Sequence, residues 1–166
     1  MAGVTITVDI KQFNKLLTKL GANAPTALKA GLFSASMRAR VIVDQESVRK
    51  RVMNTGYYRR AWKTFAMFEE HAVRVYNVAP YAGVVEYGRR PGGRMPPVRP
   101  IARWAERKFG IPYEEALGIS FGIAKKIQKA GIPGKHVLTD ALPTLSRAFE
   151  QEIQRELRAM LNRVRP

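Results

Sequence analysis

The chain contains no cysteine, which excludes disulfide cross-links, thiolate nucleophiles and cysteine-type zinc sites. Stability has to come from side-chain packing or from partner subunits, as befits a reducing compartment. Histidine is nearly as scarce: His71 and His136 stand far apart, neither beside a recognisable partner motif. The adjacent carboxylates Glu69-Glu70 and Glu114-Glu115 fit a turn and the first turn of a helix better than an acid–base pair. HExxH, GxSxG, GxxxxGK and EF-hand patterns are all missing, and the glycines of RRPGGR lack the strand-to-helix setting of a phosphate-cradling loop. No catalytic residues, cofactor or metal are expected. No apolar run approaches the roughly 20 residues that span a bilayer, and MAGVTITVDIKQ lacks a basic start followed by an apolar stretch, so neither membrane insertion nor export is expected.

Acidic residues are the other shortage. Against 29 Lys and Arg stand 13 Asp and Glu, leaving a net charge of +16. Such a field attracts polyanions and leaves open both nucleic acid and acidic protein faces as partners. Residues 51 to 110 carry 12 basic and 4 acidic side chains, a net +8 and half of that excess. At 166 residues, with 46% hydrophobic and 25% charged residues, the chain falls in the size and composition range of one folded domain. The sequence contains no internal repeat, low-complexity tract or dividing linker.

Periodicity sets out the elements. Val4 to Ile10, VTITVDI, alternates apolar and polar positions and predicts a strand. From Lys11 to about Val52 the spacing is helical: Phe13, Leu16, Leu17 and Leu20 recur, then Ala27 to Val43 is rich in Ala, Leu, Met and Arg. This is either one helix broken between Gly21 and Pro25 or two in succession. Asn54-Thr55-Gly56 marks a turn, YYRRAWKTFAMF has strand composition, and HAVRVYNV follows as its hairpin partner, with Val73 and Val75 on one face and Arg74 and Tyr76 on the other. The stretch RRPGGRMPPVRP predicts a loop. Helical patterns return in IARWAERKFG and YEEALGISFGIAKKIQKAG. A last stripe of Leu142, Leu145, Phe149, Ile153, Leu157 and Leu161 is a core face with room for a subunit contact. Its polar side mixes Glu150, Glu152 and Glu156 with Arg147, Arg155 and Arg158, as on an exposed helix. The expected class is α+β: a small antiparallel sheet packed with a long N-terminal helical region and a long C-terminal helix, one domain over 1–166 with a helical insertion at about 98–132.

The candidate site is basic. Arg89, Arg90, Arg94, Arg99 and Arg103 concentrate donors suited to phosphate oxygens or to a neighbour's carboxylates. A solvated basic loop is the plainer alternative.

Three segments, TGYYRRAWK, YNVAPYAGVVEYGRRPG with a nearby MPP, and GIPGKHVLTDALPTLSRAFEQEIQREL, together resemble a known family. It is that of the siphophage tail-completion and neck proteins, called after the tenth gene product of a lambdoid phage. The segments cover about half of the chain in the family's order. Between Pro97 and Pro133 the chain departs from the family's shorter pattern by apparent helix. The resemblance implies a structural virion protein of the tail or neck, assembled in the bacterial host cytoplasm. It would form a ring with copies of itself, a hexamer at family level, between tail tube or tail terminator and a head-closure or adaptor protein, and would line the passage for genomic DNA without reading its sequence. On this view Thr55, Gly56, Tyr81, Ala82, Tyr87 and Gly88 are structural motif residues. Gly56 and Gly88 permit backbone that a side chain would penalise, Tyr81, Val85 and Tyr87 pack, and Glu86 is left to answer an arginine of the same or the next subunit or to be surface. A basic nucleic-acid-binding module or small nuclease is the alternative function.

Overall fold

A computed structural model of the chain describes residues 2–7, 9–52 and 55–164. In chain order the elements are β1 (Ala2–Thr7), α1 (Asn14–Leu20), α2 (Ala24–Arg49), the single turn α3 (Tyr57–Arg60), β2 (Trp62–Met67), β3 (Ala72–Asn77), the short α4 (Ala82–Tyr87), α5 (Val98–Phe109), α6 (Tyr113–Ala130) and α7 (Val137–Val164). The class is α+β, with a three-stranded antiparallel sheet and long helices near each end of the chain. The chain divides into two compact units, Met1–Ala82 with His136–Pro166, and Gly83–Lys135. The second takes in the whole stretch expected as a helical insertion and extends it on both sides.

In the first unit the strands lie in the order β1-β3-β2. Val73 and Val75 of the central strand are fully buried and pair with Ile6 and Ala66, and with Val4 and Thr64, while Arg74 and Tyr76 take the opposite face as alternation predicts. The first strand is shorter than its sequence pattern. The Asp9 carboxylate accepts a hydrogen bond from the Lys11 backbone N–H at 2.9 Å and starts a 3-10 turn over Ile10–Phe13, so Ile10 leaves the sheet. Val8, within the expected strand, and Asn54, within the expected turn, lie outside the described residues.

The expected break in the N-terminal helical region falls at Gly21–Asn23, and α2 then runs from Ala24 to Arg49 with Pro25 in its first turn. The most extensive contact between elements is that of α2 with α7. Leu32, Ala35, Ala39 and Val43 of α2, and Leu145, Phe149, Ile153 and Leu157 of α7, are fully buried. The two backbones come so close that a Cβ added at Gly31 would stand 2.9 Å from Ile153 Cα. The C-terminal stripe is thus core along most of its length, and α7 begins five residues before Leu142. On its outer side Arg155 bridges Glu152 at 2.5 Å and Glu156 at 3.1 Å, as the mixed charges predicted.

The second half of YYRRAWKTFAMF is strand, but the first half is not. Gly56, in the left-handed region at φ +72°, leads into the turn α3, with the Arg60 N–H donating to Gly56 O at 3.1 Å. This places Tyr58 inside, its ring edge-to-face with Trp62 at 5.6 Å and stacked on Tyr81 at 6.2 Å. The polar groups of Trp62 and Asn77 here are matched. Trp62 Nε1 donates to Ser47 Oγ (3.0 Å), Asn77 Nδ2 donates to Tyr58 O (2.9 Å), and Asn77 Oδ1 accepts from the Ala79 N–H (2.9 Å).

Across the turn, Arg59 holds Asp44 through two hydrogen bonds of 2.8 and 2.6 Å. The arginine hydrogen bond is the largest influence on Asp44, outweighing desolvation, and keeps its carboxyl below the ordinary 3.8. A depressed folded-state value means the contribution is present above the unfolded pKa and is lost as pH falls through the folded one. Asp44→Asn should therefore lower stability at neutral pH, by less than about 1 kcal/mol because both side chains are about a third exposed. The deficit should shrink as pH falls below the ordinary carboxyl value of 3.8 and through the lowered folded-state one. Denaturant titrations of parent and variant at pH 7 and pH 2.5 check this; a deficit undiminished in acid would show that packing, not charge, carries the effect.

Candidate functional site

The five arginines of the candidate site all fall in the unit Gly83–Lys135, but they do not form one loop. RRPGGRMPPVRP is irregular only to Pro97. Val98, Arg99 and Pro100 already form the first turn of α5, where a proline's missing N–H leaves no intrahelical bond unmade. Arg99 is therefore a helical residue, correcting the expectation of a loop through Pro100, and Arg103 falls in the same helix, as the pattern of IARWAERKFG predicts. They line one open groove with Glu106, Arg107, Tyr113 and Leu117, whereas Arg89 and Arg94 line a separate concavity with Met95 to Val98. Arg90 is exposed.

The loop is pinned at its base. The Arg89 N–H donates to Ile132 O at 2.7 Å, the Ile132 N–H returns to Arg89 O at 2.9 Å, and the Gly92 N–H donates to Gln128 O at 2.7 Å. The Lys135 N–H donates to Val85 O at 2.6 Å, so residues 85–89 and 132–135 form a clasp where the chain enters and leaves this unit. Gly88 makes the clasp possible. Its φ is +76°, and a Cβ there would lie 2.4 Å from Ile132 O and 2.6 Å from Gly134 N.

The remaining motif residues are structural. Thr55 Oγ1 accepts a 3.4 Å hydrogen bond from the Tyr57 N–H, and Thr55 O accepts one from Arg60 Nη2 at 3.1 Å, so Thr55 and Gly56 aim β2. Tyr81 meets the rings of Tyr57 and Tyr58, and burial, with Tyr57 second, pushes its hydroxyl above the ordinary value. Ala82 is fully buried. Two expectations change. Tyr87, expected to pack, is 69% exposed, and Glu86, expected to answer an arginine of the same or the next subunit or to be surface, is 1% exposed and so is not surface.

Electrostatics separate the two units. The stretch 83–135 holds 11 Lys and Arg against 4 Glu, a net +7. Every ion pair among the described residues lies in the other unit: Arg49 with Glu46 and Asp140, Lys50 with Asp140, Arg59 with Asp44, and Arg155 with Glu152 and Glu156. Lys50, followed by Arg49 and His136, holds the Asp140 carboxyl below its ordinary value. The five candidate arginines, and Arg107 with them, have no such partner among the described residues.

Sequence reasoning missed two features. Phe33, Met37 and Val41 of α2 recur every fourth residue and are exposed, with Val48 further along the same side, opposite the face buried against α7. With both sides apolar, the helix carries no amphipathic signal that would mark the outer stripe. On the solvent face of the sheet, Arg74 donates to Thr5 Oγ1 at 3.2 Å and lies 5.7 Å from the centre of the Phe65 ring, which meets Tyr76 edge-on at 6.2 Å. The period-two pattern places these side chains on one face, but only the pairing of β2 with β3 brings Phe65 opposite Arg74.

Among the described residues no group of three or more His, Asp or Glu is placed to hold a metal ion, and no helix is long and apolar enough to cross a membrane. No family model matches the chain, and neither a curated protein nor a solved structure matches it.

Proposed function

We propose that the chain is a structural subunit of a phage neck. It assembles with copies of itself into a ring that completes the tail, docks to the head-closure complex and surrounds the path of the DNA. The observation that carries this reading is the exposed apolar stripe Phe33, Met37, Val41 and Val48 on α2, turned away from the helix's own core. Exposed apolar residues repeated along one side of a helix suit a surface that another protein covers, and a closed ring needs two different complementary patches on each subunit. The unpaired basic unit supplies a second surface, suited to an acidic neighbour or to passing phosphates. The Thr55-Gly56 turn and the Gly88 clasp, which carry the resemblance to tail-completion proteins, serve here as framework.

Sedimentation of the purified protein with tail tubes tests the reading: incorporation, with rings visible by negative stain, is expected. A monomer that joins neither tail nor head components would overturn it. Arg89, Arg90 and Arg94 sharpen the test. Arg90 and Arg94 are exposed, Arg89 is partly so, and none of them makes an ion pair among the described residues, so replacing all three with Ala should shift stability within about 1 kcal/mol for each. Phage carrying the triple variant should accumulate unjoined heads and tails if the loop docks to protein, or joined particles that fail to deliver DNA if it faces the passage. Full infectivity would remove the loop as a site.

A second reading, a basic nucleic-acid-binding module or small nuclease, is favoured by the open sheet face, where Lys63 and Arg74 stand among Phe65 and Tyr76. Salt-dependent binding of oligonucleotides, lost in Phe65→Ala, together with a nuclease assay in magnesium, separates it from the first.

A further inference from the structure

In the unit Gly83–Lys135, α5 and α6 carry two stripes that their own packing leaves unused. Arg99, Arg103 and Arg107 recur every four residues on α5 and are exposed. Tyr113, Leu117 and Phe121 recur at the same spacing on α6, with Leu117 40% and Phe121 55% exposed. The three arginines, Glu106, Tyr113 and Leu117 line one open groove of about 670 Å³, and Phe121 lies one turn further along the same side of α6. The buried contact between the helices is made by Ala102, Ala105 and Ala116, with Tyr113 packed against it at the groove's edge, which leaves the three arginines, Leu117 and Phe121 outside that packing.

At its N-terminal end the arginine stripe works against the helix that bears it, although Arg107 in the last turn suits the dipole. Like charges four residues apart destabilise a helix, and Arg99 sits in the first turn, where the helix dipole is positive and no acidic residue offsets it. No described carboxylate pairs with any of the three, Glu106 included. Local choices that oppose the fold and find no compensation within it mark a surface whose partner comes from outside.

We propose that this groove binds an acidic amphipathic helix of a partner protein. Carboxylates at every fourth position would face Arg99, Arg103 and Arg107, and an adjoining apolar stripe would cover Leu117, Phe121 and the edge of Tyr113. A cationic wall beside an apolar wall favours such a helix over a nucleic-acid backbone, because phosphates satisfy the arginines but leave Leu117 and Phe121 in water. The inference deepens the reading of the chain as an assembly subunit and rests on it, since it names how the basic unit would meet its neighbour.

The test uses the full chain and a labelled helical peptide of about 20 residues, roughly 30 Å long. The peptide carries Glu at every fourth position beside a Leu/Phe stripe, and is compared with a Gln version, a Lys version and a duplex DNA. The Glu peptide should bind roughly tenfold or more tighter than the Gln version, and Arg103→Glu and Leu117→Asp should each weaken it about tenfold or more. The Lys version, changed only at the position facing residue 103, should recover affinity for Arg103→Glu, because Arg99 and Arg107 keep their Glu partners, a rescue that a merely misfolded variant cannot give. Equal binding of Glu and Gln peptides overturns the proposal. DNA binding that depends on Arg103 but not on Leu117, with no peptide bound, also overturns it and makes nucleic acid the ligand. A chain that fails with the peptide yet joins tails loses only the groove assignment. One that binds the peptide yet never joins neck components keeps the groove and loses the neck reading.

Discussion

Replacing Phe149 with Asp should abolish cooperative folding of the unit built from Met1–Ala82 and His136–Pro166. Phe149 is fully buried on α7, near the middle of the stripe Leu145, Phe149, Ile153 and Leu157 that forms the core with α2. Removing a buried phenylalanine costs about 3–5 kcal/mol through lost burial and the cavity left behind. A carboxylate in that cavity adds the cost of burying a polar group, and at neutral pH the group must take up a proton or open the core to water. Against a total stability of about 5–15 kcal/mol, the sum removes most of the margin. Circular dichroism should show loss of the cooperative melt, while the same substitution at the exposed neighbour Glu150 leaves the melting temperature within a few degrees of the parent. If Phe149→Asp melts like the parent, the register of α7 against α2 is wrong.

Gly88→Ala should have the next largest effect, and a local one. The backbone conformation at φ +76° costs a residue with a side chain about 1–3 kcal/mol. The added Cβ would also meet two backbone atoms of the facing segment, Ile132 O and Gly134 N, which cannot yield as a flexible side chain can. The clasp should open, releasing the hydrogen bonds of Arg89, Ile132 and Lys135. Hydrogen exchange should then quicken at those amides by about tenfold or more, while the amides of α2 and α7 keep their protection. Unchanged exchange at Arg89 and Ile132 would show that the clasp tolerates a side chain and does not hold this unit together.

Most of the frame can be derived from periodicity. The alternation in HAVRVYNV gives the faces of β3, and the three-and-four spacing after Leu142 gives the core side of α7, because each pattern follows from burying one face of a regular element. Composition misleads where local geometry overrides it. The aromatics of YYRR suggest a strand, but the left-handed Gly56 starts a helical turn that brings Tyr58 against Trp62 and Tyr81. The prolines around Arg99 suggest a loop, although the first turn of a helix accepts proline, and this assigns Arg99 to α5. Glu86 has the side chain of a surface residue and Tyr87 that of a core residue, yet their positions are the reverse. The groove lies further from the sequence still. Its two walls are separately periodic, but that they face one opening follows only from the pairing of α5 with α6.

The clasp also bears on how such a chain can change over evolutionary time. The stretch that departs near Val85 returns at Lys135 with its two ends hydrogen-bonded to each other. What lies between them can grow, shrink or be exchanged while the strands and the α2–α7 pair keep their spacing, because lengthening a segment whose ends are already joined adds little closure entropy. The groove proposed to meet a partner would thereby be separated from the core that sets the fold. A lineage can refit the first to a new partner without solving the packing of the second again.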